Sequence, residues 1–495
     1  MKNSLALSFV ASVACGSLAA VVAVVSVAAE APNSPPAPVT PAAPAGPVAS
    51  AGAVTSAGAA ASAGAAAPAG PAAPAAVTVL HCGHLLDTVA GKLLGPSTVV
   101  IEGKRIREVS TGTHSPVAAQ TPIAARTIDL SSSTCLPGLI DTHTHLTLEF
   151  DKAHYVNQFH WNIADYAVRS TVFARRTLLA GFTTVRNLGD VANESIALRD
   201  AINAGIVAGP RMFTAGRPIG STGGHADGSN GYRSDLEGNP GPVEGIINSP
   251  DEAIKAVRQH YKDRADVIKI MPSGGVMDEG GNGDNAQLTL EEIRAVVSTA
   301  HDYGFIVGAH AHGAEAIRRA VIGGVDSIEH GTFLNAEDMK LMVEHGTWYV
   351  PTLTAGDYVA QQAKVPGFYP PQVAAKATAI GPLILATAGR AYKAHLKIAF
   401  GTDAGVYPHG NNAHEFELMV QAGMPPLFVL QAATVNAAQL LRQEKDLGSL
   451  TAGKWADVVA VDGDPLQDIS RMKVVSFVMK EGIVWKVNSA PVGAD

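Results

Sequence analysis

Five short apolar runs, each closing on residues able to bind a metal, recur in order through the middle of this chain. The first is LPGLIDTHTH (136–145), which reads as a buried strand carrying His143 and His145 two residues apart. Alternate residues on a strand project to the same side, so both imidazoles can face one ion. Lys269 follows in DVIKI (266–270), and His310 and His312 in VGAHAH (307–312). His330 closes the run DSIEH (326–330), and Asp403 closes IAFGTD (398–403). A pair of histidines alone would read as satisfied core residues, but five such strand ends in chain order constrain the fold. Between the runs lie helical patterns over 164–180, 250–261, 289–303, 314–322 and 336–344. Thr289 with Glu292 predicts a capping box, Asn335 a cap, and Asp251 and Glu252 suit a helix N-terminus. Strand–helix alternation of this kind predicts βα units around a parallel sheet. Sites in barrels of such units lie at the C-terminal strand ends, where every one of these residues falls.

The two ends of the chain differ from this middle. Met1–Ser4 is short and basic, residues 5–27 are almost wholly apolar, and Ser26-Val27-Ala28 offers a small-x-small cleavage site. Residues 1–28 therefore read as a secretory signal peptide, exporting the protein to the periplasm or beyond. The apolar run is also long enough to span a bilayer, so an uncleaved N-terminal anchor is the alternative reading. Cys15 resembles a lipoprotein site only faintly, because Ser12 stands where a large aliphatic residue is usual. Residues 29–76 are alanine, proline, glycine, serine and valine with almost no charge, a mobile tether with nothing to bury. Strand patterns at 77–82 and 97–106, broken at glycine-bearing turns, are matched by others at 456–462 and 474–482. Residues 77–136 and 443–495 are thus expected to form one β-domain flanking a unit over 137–442. Cys82 and Cys135 remain after export, either as a disulfide or as two buried free thiols; compartment alone bears on the choice. The net charge of −8 and the lack of any basic cluster argue against nucleic acid as a partner. No apolar run beyond the front segment reaches bilayer length.

The ligand-type residues, from about Val77 to Val487, resemble the amidohydrolase superfamily of metal-dependent hydrolases. That resemblance implies an α/β fold: a TIM-like (β/α)8 barrel with a small β-sandwich formed by the N- and C-terminal strands. It implies His143 and His145 on one metal, a carbon dioxide-carboxylated Lys269 bridging two, His310 and His330 on the second, and Asp403 completing the site. The ions implied are divalent; imidazole and carboxylate donors suit zinc first, with manganese, cobalt and iron as the alternatives. Asp403 is the expected general base and then acid, although GTDAG taken alone would read as a turn. His312 is expected either to hold a substrate carboxylate or to act structurally behind the metal. Tyr232 and His225, in the glycine-rich stretch 220–245, are weaker substrate-binding candidates; this stretch, 280–285 and 404–414 are the loops expected over the pocket. Arg186 reads as an interior salt bridge, and His154, His160, His301, His345 and His395 as surface residues without partners.

Within the superfamily, VIKI, AHAHG, SIEHG and GTDAG resemble the imidazolonepropionase-like and Xaa-Pro dipeptidase branch. They are similar also to bacterial amidohydrolases that cleave ochratoxin A to ochratoxin α and phenylalanine. The implied activity is carboxypeptidase-like hydrolysis of N-acyl-L-amino acids or dipeptides with a free carboxylate, by a homo-oligomer that in relatives is commonly an octamer. A mononuclear deaminase would not use the bridging lysine. Two other readings stand beside the main one: a cyclic-amide hydrolase of the imidazolonepropionase kind, and an inactive secreted binding protein.

Overall fold

In the computed structural model, residues 77–113, 125–278 and 283–492 are described. The expected leader, anchor and tether lie outside these residues. Among the described residues, three sheets carry sixteen strands. The first strands are β1 (Val77–Asp87), β2 (Lys92–Leu94), β3 (Ser97–Glu102), β4 (Arg105–Thr111) and β5 (Arg126–Pro137). The middle holds β6 (Leu139–Thr144), β7 (Phe182–Asn187), β8 (Arg211–Thr214), β9 (Ile268–Ile270), β10 (Val307–Ala311), β11 (Ser327–His330) and β12 (Trp348–Val350). The last are β13 (Val458–Asp462), β14 (Val475–Lys480), β15 (Ile483–Val487) and β16 (Ala490–Pro491).

The opening and closing strands join in one nine-stranded sheet, ordered β16-β15-β14-β13-β5-β1-β3-β4 with β2 beside β1. The junction is β13 against β5, antiparallel from Val458–Pro137 to Asp462–Ser133. The run 97–106 is broken at its glycine as expected: Gly103 (φ 58°) turns the chain between β3 and β4, which pair as a hairpin. Cys82 and Cys135 are joined by a disulfide with their Cα atoms 5.9 Å apart.

Two all-parallel sheets, β6-β7-β8 and β12-β11-β10-β9, occupy the middle. Both faces of β6, β7, β10 and β11 are buried, as near-continuous apolar runs require. Helices alternate with these strands, and their ends follow the expected chemistry. Thr289 and Glu292 form the capping box of the helix Leu290–Asp302. The Asn335 side chain accepts from the Asp338 N–H at 2.9 Å, capping Ala336–His345. The main core packs between strands and helices; Phe182, Phe400 and Phe416 stack there at 5.6 and 4.5 Å between ring centres. Each such ring contributes roughly 1.5–3 kcal/mol by leaving water. No helix among the described residues is long and apolar enough to cross a membrane.

Candidate metal centre and substrate chamber

The C-terminal ends of β6, β9, β10 and β11 converge, and the turn after Phe400 meets them. His143 is the penultimate residue of β6 and His145 follows that strand; Lys269 is the middle of β9; His310 lies in β10, with His312 just past it; His330 ends β11. All but the half-buried His145 are buried. Three residues at these ends adopt the left-handed backbone that side chains rarely take: His330 (φ 69°), Thr352 (φ 53°) and Asp403 (φ 59°). Each such residue costs about 1–3 kcal/mol and persists only where its surroundings over-determine it. Asp403 is held by its own N–H donating to the His143 carbonyl at 2.7 Å.

Every histidine of the expected ligand set has one ring nitrogen engaged by a neighbour. His143 Nδ1 donates to Glu329 Oε2 at 2.9 Å, and His145 Nδ1 to the Gly189 carbonyl at 3.1 Å. His310 Nε2 donates to the Gly274 carbonyl at 3.2 Å. The Thr352 hydroxyl donates to the Pro351 carbonyl, so it accepts from His330 Nδ1, at 2.7 Å. The second ring nitrogen of each is thereby left as an acceptor, which is how metal-bound imidazoles are oriented. His143 Nε2 lies 3.4 Å from Asp403 Oδ1 and 3.5 Å from Lys269 Nζ, and His145 Nε2 lies 3.2 Å from Asp403 Oδ1. Donor atoms of His143, His330 and Asp403 all fall within 4.8 Å of one another. These residues fit a divalent cation by donor chemistry as well as by spacing.

Burial decides the charge of this cluster. It drives His143 down to about 4, His310 and His330 well below the ordinary histidine range, and Lys269 down to about 8. Burial alone would raise Asp403, but His143, His145 and Lys269 around it hold its carboxyl below the usual value. The rings of His143, His310 and His330 are therefore neutral, and Asp403 is ionised.

Behind His143 stands a buried network whose role the motifs gave no means of reading. Arg186 Nη2 donates to Glu329 Oε1 at 2.8 Å, its Nε to the Thr142 carbonyl at 2.6 Å, and its Nη1 to Ser327 Oγ at 3.0 Å. Burial pushes Glu329 up, yet Arg186 and His143 bring it down to about 2. Arg186 is thus the interior salt bridge expected of it, and Glu329, unremarked within SIEHG, is its partner. On the other side, Asp141 accepts from Thr402 Oγ1 at 2.6 Å and Asn412 Nδ2 at 2.8 Å, tying β6 to the Asp403 turn.

All six of the expected metal-binding residues line one chamber of about 210 Å³. Its remaining wall is apolar, with Leu148, Phe150, Met271, Val276, Val359 and Ile384 among its residues. His312 lines it too; Nδ1 pairs with Thr332 Oγ1 at 2.8 Å, and burial lowers the ring to about 3, so it is neutral. His225 also lines the chamber, its ring tilted against that of His310 with centres 4.4 Å apart, and its Nδ1 pairs with Asp278 at 2.7 Å. Tyr232 does not: it lines an adjoining hollow and packs on Phe159 at 5.1 Å. Two histidines expected to lack partners have them. His154 stacks on Phe150, four residues earlier, at 3.6 Å, and His301 Nε2 pairs with Asp326, just before β11, at 2.9 Å.

Residues 134–484 match the Amidohydrolase family. The chain is 32% identical over 437 residues to the ochratoxinase of Aspergillus niger, covering 83% of this chain and 87% of that one. The crystal structure of A. niger ochratoxinase superposes with a TM-score of 0.73 at 30% identity, over 84% of this chain and 96% of that one. A Xaa-Pro dipeptidase crystallised with methionine in its active site is 45% identical, with a TM-score of 0.78, over 83% of this chain and all of that one. A prolidase complexed with N-methylphosphonate-L-proline is 34% identical, with a TM-score of 0.75 over the same shares.

Proposed function

The chain belongs to the amidohydrolase family and is a hydrolase of amide bonds; from that premise we propose a binuclear, carboxypeptidase-like enzyme. Its substrates are N-acyl-L-amino acids or dipeptides with a free carboxylate, and ochratoxin A, split to ochratoxin α and phenylalanine, is one candidate. The observation that carries this reading is the orientation of four histidines, each with one ring nitrogen engaged and the other left for a ligand. His143 and His145 would hold one ion and His310 and His330 the other, with Asp403 completing the site. Lys269, buried and easily neutral, would form a C–N bond to carbon dioxide with loss of one proton, and its carboxylate would bridge the pair. Zinc is the expected ion.

Bound divalent cations supply Lewis acidity and a water more acidic than bulk. Asp403, ionised in the fold, would take up the proton of the attacking water and pass it to the leaving amine. His312, fixed through Nδ1, has Nε2 available for the substrate carboxylate. Arg186 and Glu329 hold the His143 ring in its tautomer, and the apolar wall keeps water from competing.

A closed (β/α)8 barrel over 137–442, flanked by a β-sandwich domain from 77–136 and 443–495, is part of this reading. Bonds at the sheet edges support it: Asp266 N to Thr214 O at 2.8 Å beside β8 and β9, and Tyr349 N to Lys397 O at 2.8 Å beyond β12. Thr142 N then donates to Phe400 O at 2.9 Å, which returns to β6. The disulfide supports an oxidising, exported location.

Elemental analysis of purified protein should find two divalent ions per chain. A screen of N-acyl-L-amino acids and dipeptides, with ochratoxin A among them, should find turnover that chelation removes. Turnover undiminished without metal would end the binuclear reading, and turnover of carboxylate-blocked amides alone would end the carboxypeptidase reading.

A further inference from the structure

The metal chamber is smaller than the substrates its chemistry suits. At about 210 Å³ it falls below the roughly 300–1,000 Å³ usual for ligand pockets. It shares Leu148, Phe150 and His225 with a neighbouring hollow of about 730 Å³. A substrate cleaved at the strand ends therefore has room to extend across that shared wall.

What lines the hollow is unusual for this chain. Aromatic residues make up 5% of the sequence, yet Phe150, Tyr155, Phe159, Trp161 and Tyr166 fall within residues 150–166. Phe150, His154, Trp161 and Tyr166 line the hollow, with Tyr232 across from them on the glycine-rich loop. Trp161 meets Tyr166 edge-on at 5.3 Å, and the Arg169 guanidinium lies 4.0 Å over the indole. These contacts fix the rings before any ligand arrives. His154 is buried enough to be lowered to about 4, so its ring is a neutral stacking surface. Acids in the same wall are engaged by backbone: Asp190 by the N–H groups of Asn193 and Ser195, Asp227 by those of Gly223 and Ser229, Glu244 by that of Gly241. Arg217 and Glu237 also line the hollow, and the rings are its main apolar surface.

We propose that this hollow is an aromatic subsite, taking a planar aromatic acyl group attached to the scissile amide. The proposal rests on the amide-hydrolase reading of the adjoining chamber. Offset or edge-on packing of a ring against such side chains adds roughly 0.5–1.5 kcal/mol beyond simple burial, up to about tenfold in binding.

The test uses the full-length, metal-loaded enzyme with N-(4-nitrobenzoyl)-L-phenylalanine and N-acetyl-L-phenylalanine, and 4-nitrobenzoic acid as a quencher of tryptophan fluorescence. Trp161→Ala should lower kcat/KM about tenfold for the nitrobenzoyl substrate and leave the acetyl substrate within about twofold. Trp161→Phe, which keeps a ring, should recover most of that loss while abolishing the saturable quench by 4-nitrobenzoic acid. Equal losses on both substrates, or a saturable quench undiminished in Trp161→Phe, would overturn the subsite. A Trp161-dependent quench in an enzyme that cleaves neither amide would uphold the subsite and remove the hydrolase specificity instead.

Discussion

The histidine cluster and the aromatic hollow share a wall but are built in opposite ways. The cluster sits on strand ends, and its strained positions are non-glycine residues, His330 and Asp403, with Thr352 behind them. The hollow is framed by the segment 150–166 and the loop 221–246, where each residue with positive φ is a glycine: Gly223, Gly231, Gly238 and Gly245. Strain is thus kept where parallel strands and buried ion pairs over-determine the backbone, and avoided where loops must adapt. Chemistry that needs a fixed proton and fixed lone pairs belongs in the first kind of site. Discrimination among substrates, which tolerates small shifts of a ring, belongs in the second.

Substitutions in the cluster should therefore be severe and indifferent to substrate. The largest loss is expected from Lys269→Ala: activity should fall by at least roughly a hundredfold on every amide, with bound metal reduced. A short-chain carboxylic acid should partly restore turnover by standing in for the missing carboxylate. Wild-type activity in this variant would remove the bridging role. Next comes Glu329→Gln, which leaves Arg186 charged and buried without its partner. Urea unfolding should show a loss of roughly 3–5 kcal/mol, and metal should be held more weakly because the His143 tautomer is no longer fixed. A stability change below about 1 kcal/mol would mean that Arg186 is satisfied by Thr142 and Ser327 alone.

How much of this was legible in the sequence differs between the same two regions. The strand ends were legible because a two-residue period puts His143 and His145 on one side, and because apolar runs bury whatever they carry. Helix ends at Thr289 and Asn335 were legible as capping chemistry, and residues 290–302 form the helix that Thr289 and Glu292 announced. Glu329 was not, since its partner Arg186 stands 143 residues away on β7 and only the pairing of strands brings them together. The aromatic residues of 150–166 were visible singly, but Tyr232 closes on Phe159 through a loop whose path no periodicity encodes. The hairpin at Gly103 was legible too, because a glycine that can take positive φ breaks a run of β-favouring residues into two strands.

A residue between the two regions gives a narrower effect. His312 stands at a strand end like the metal-binding set, yet its role in the proposed reaction is recognition. His312→Ala should lower kcat/KM by roughly ten- to hundredfold for substrates with a free carboxylate, the loss of one hydrogen bond to a charged group. Amide-blocked analogues should change little, and metal content should stay at the wild-type level. Metal depletion would mean that His312, rather than His310, is the ligand.

The smallest effect expected lies behind the cluster, at Glu415. Its buried carboxylate accepts from the Leu353 and Thr354 N–H groups at 2.8 and 2.7 Å and from the Thr354 hydroxyl at 2.7 Å. Those residues follow Thr352, whose hydroxyl orients His330, so Glu415 anchors the turn without touching the chamber. Burial pushes Glu415 up to about 8 from an ordinary value of 4.5. A carboxyl raised in the folded state binds its proton more tightly there than in the unfolded chain. Its contribution is full below about pH 4.5 and is lost as the pH rises toward 8. The melting temperature should therefore fall across this window in the wild type and fall less steeply in Glu415→Gln. Some slope should remain in the variant, because burial also raises Asp141, to about 7, and acts in the same direction. The slope decides the matter rather than the absolute stability, since glutamine cannot reproduce all three accepted bonds. Parallel melting curves for the two proteins between pH 5 and 8 would show that Glu415 stays ionised in the fold, held by the N-terminus of the helix Leu353–Gln362 instead of by burial.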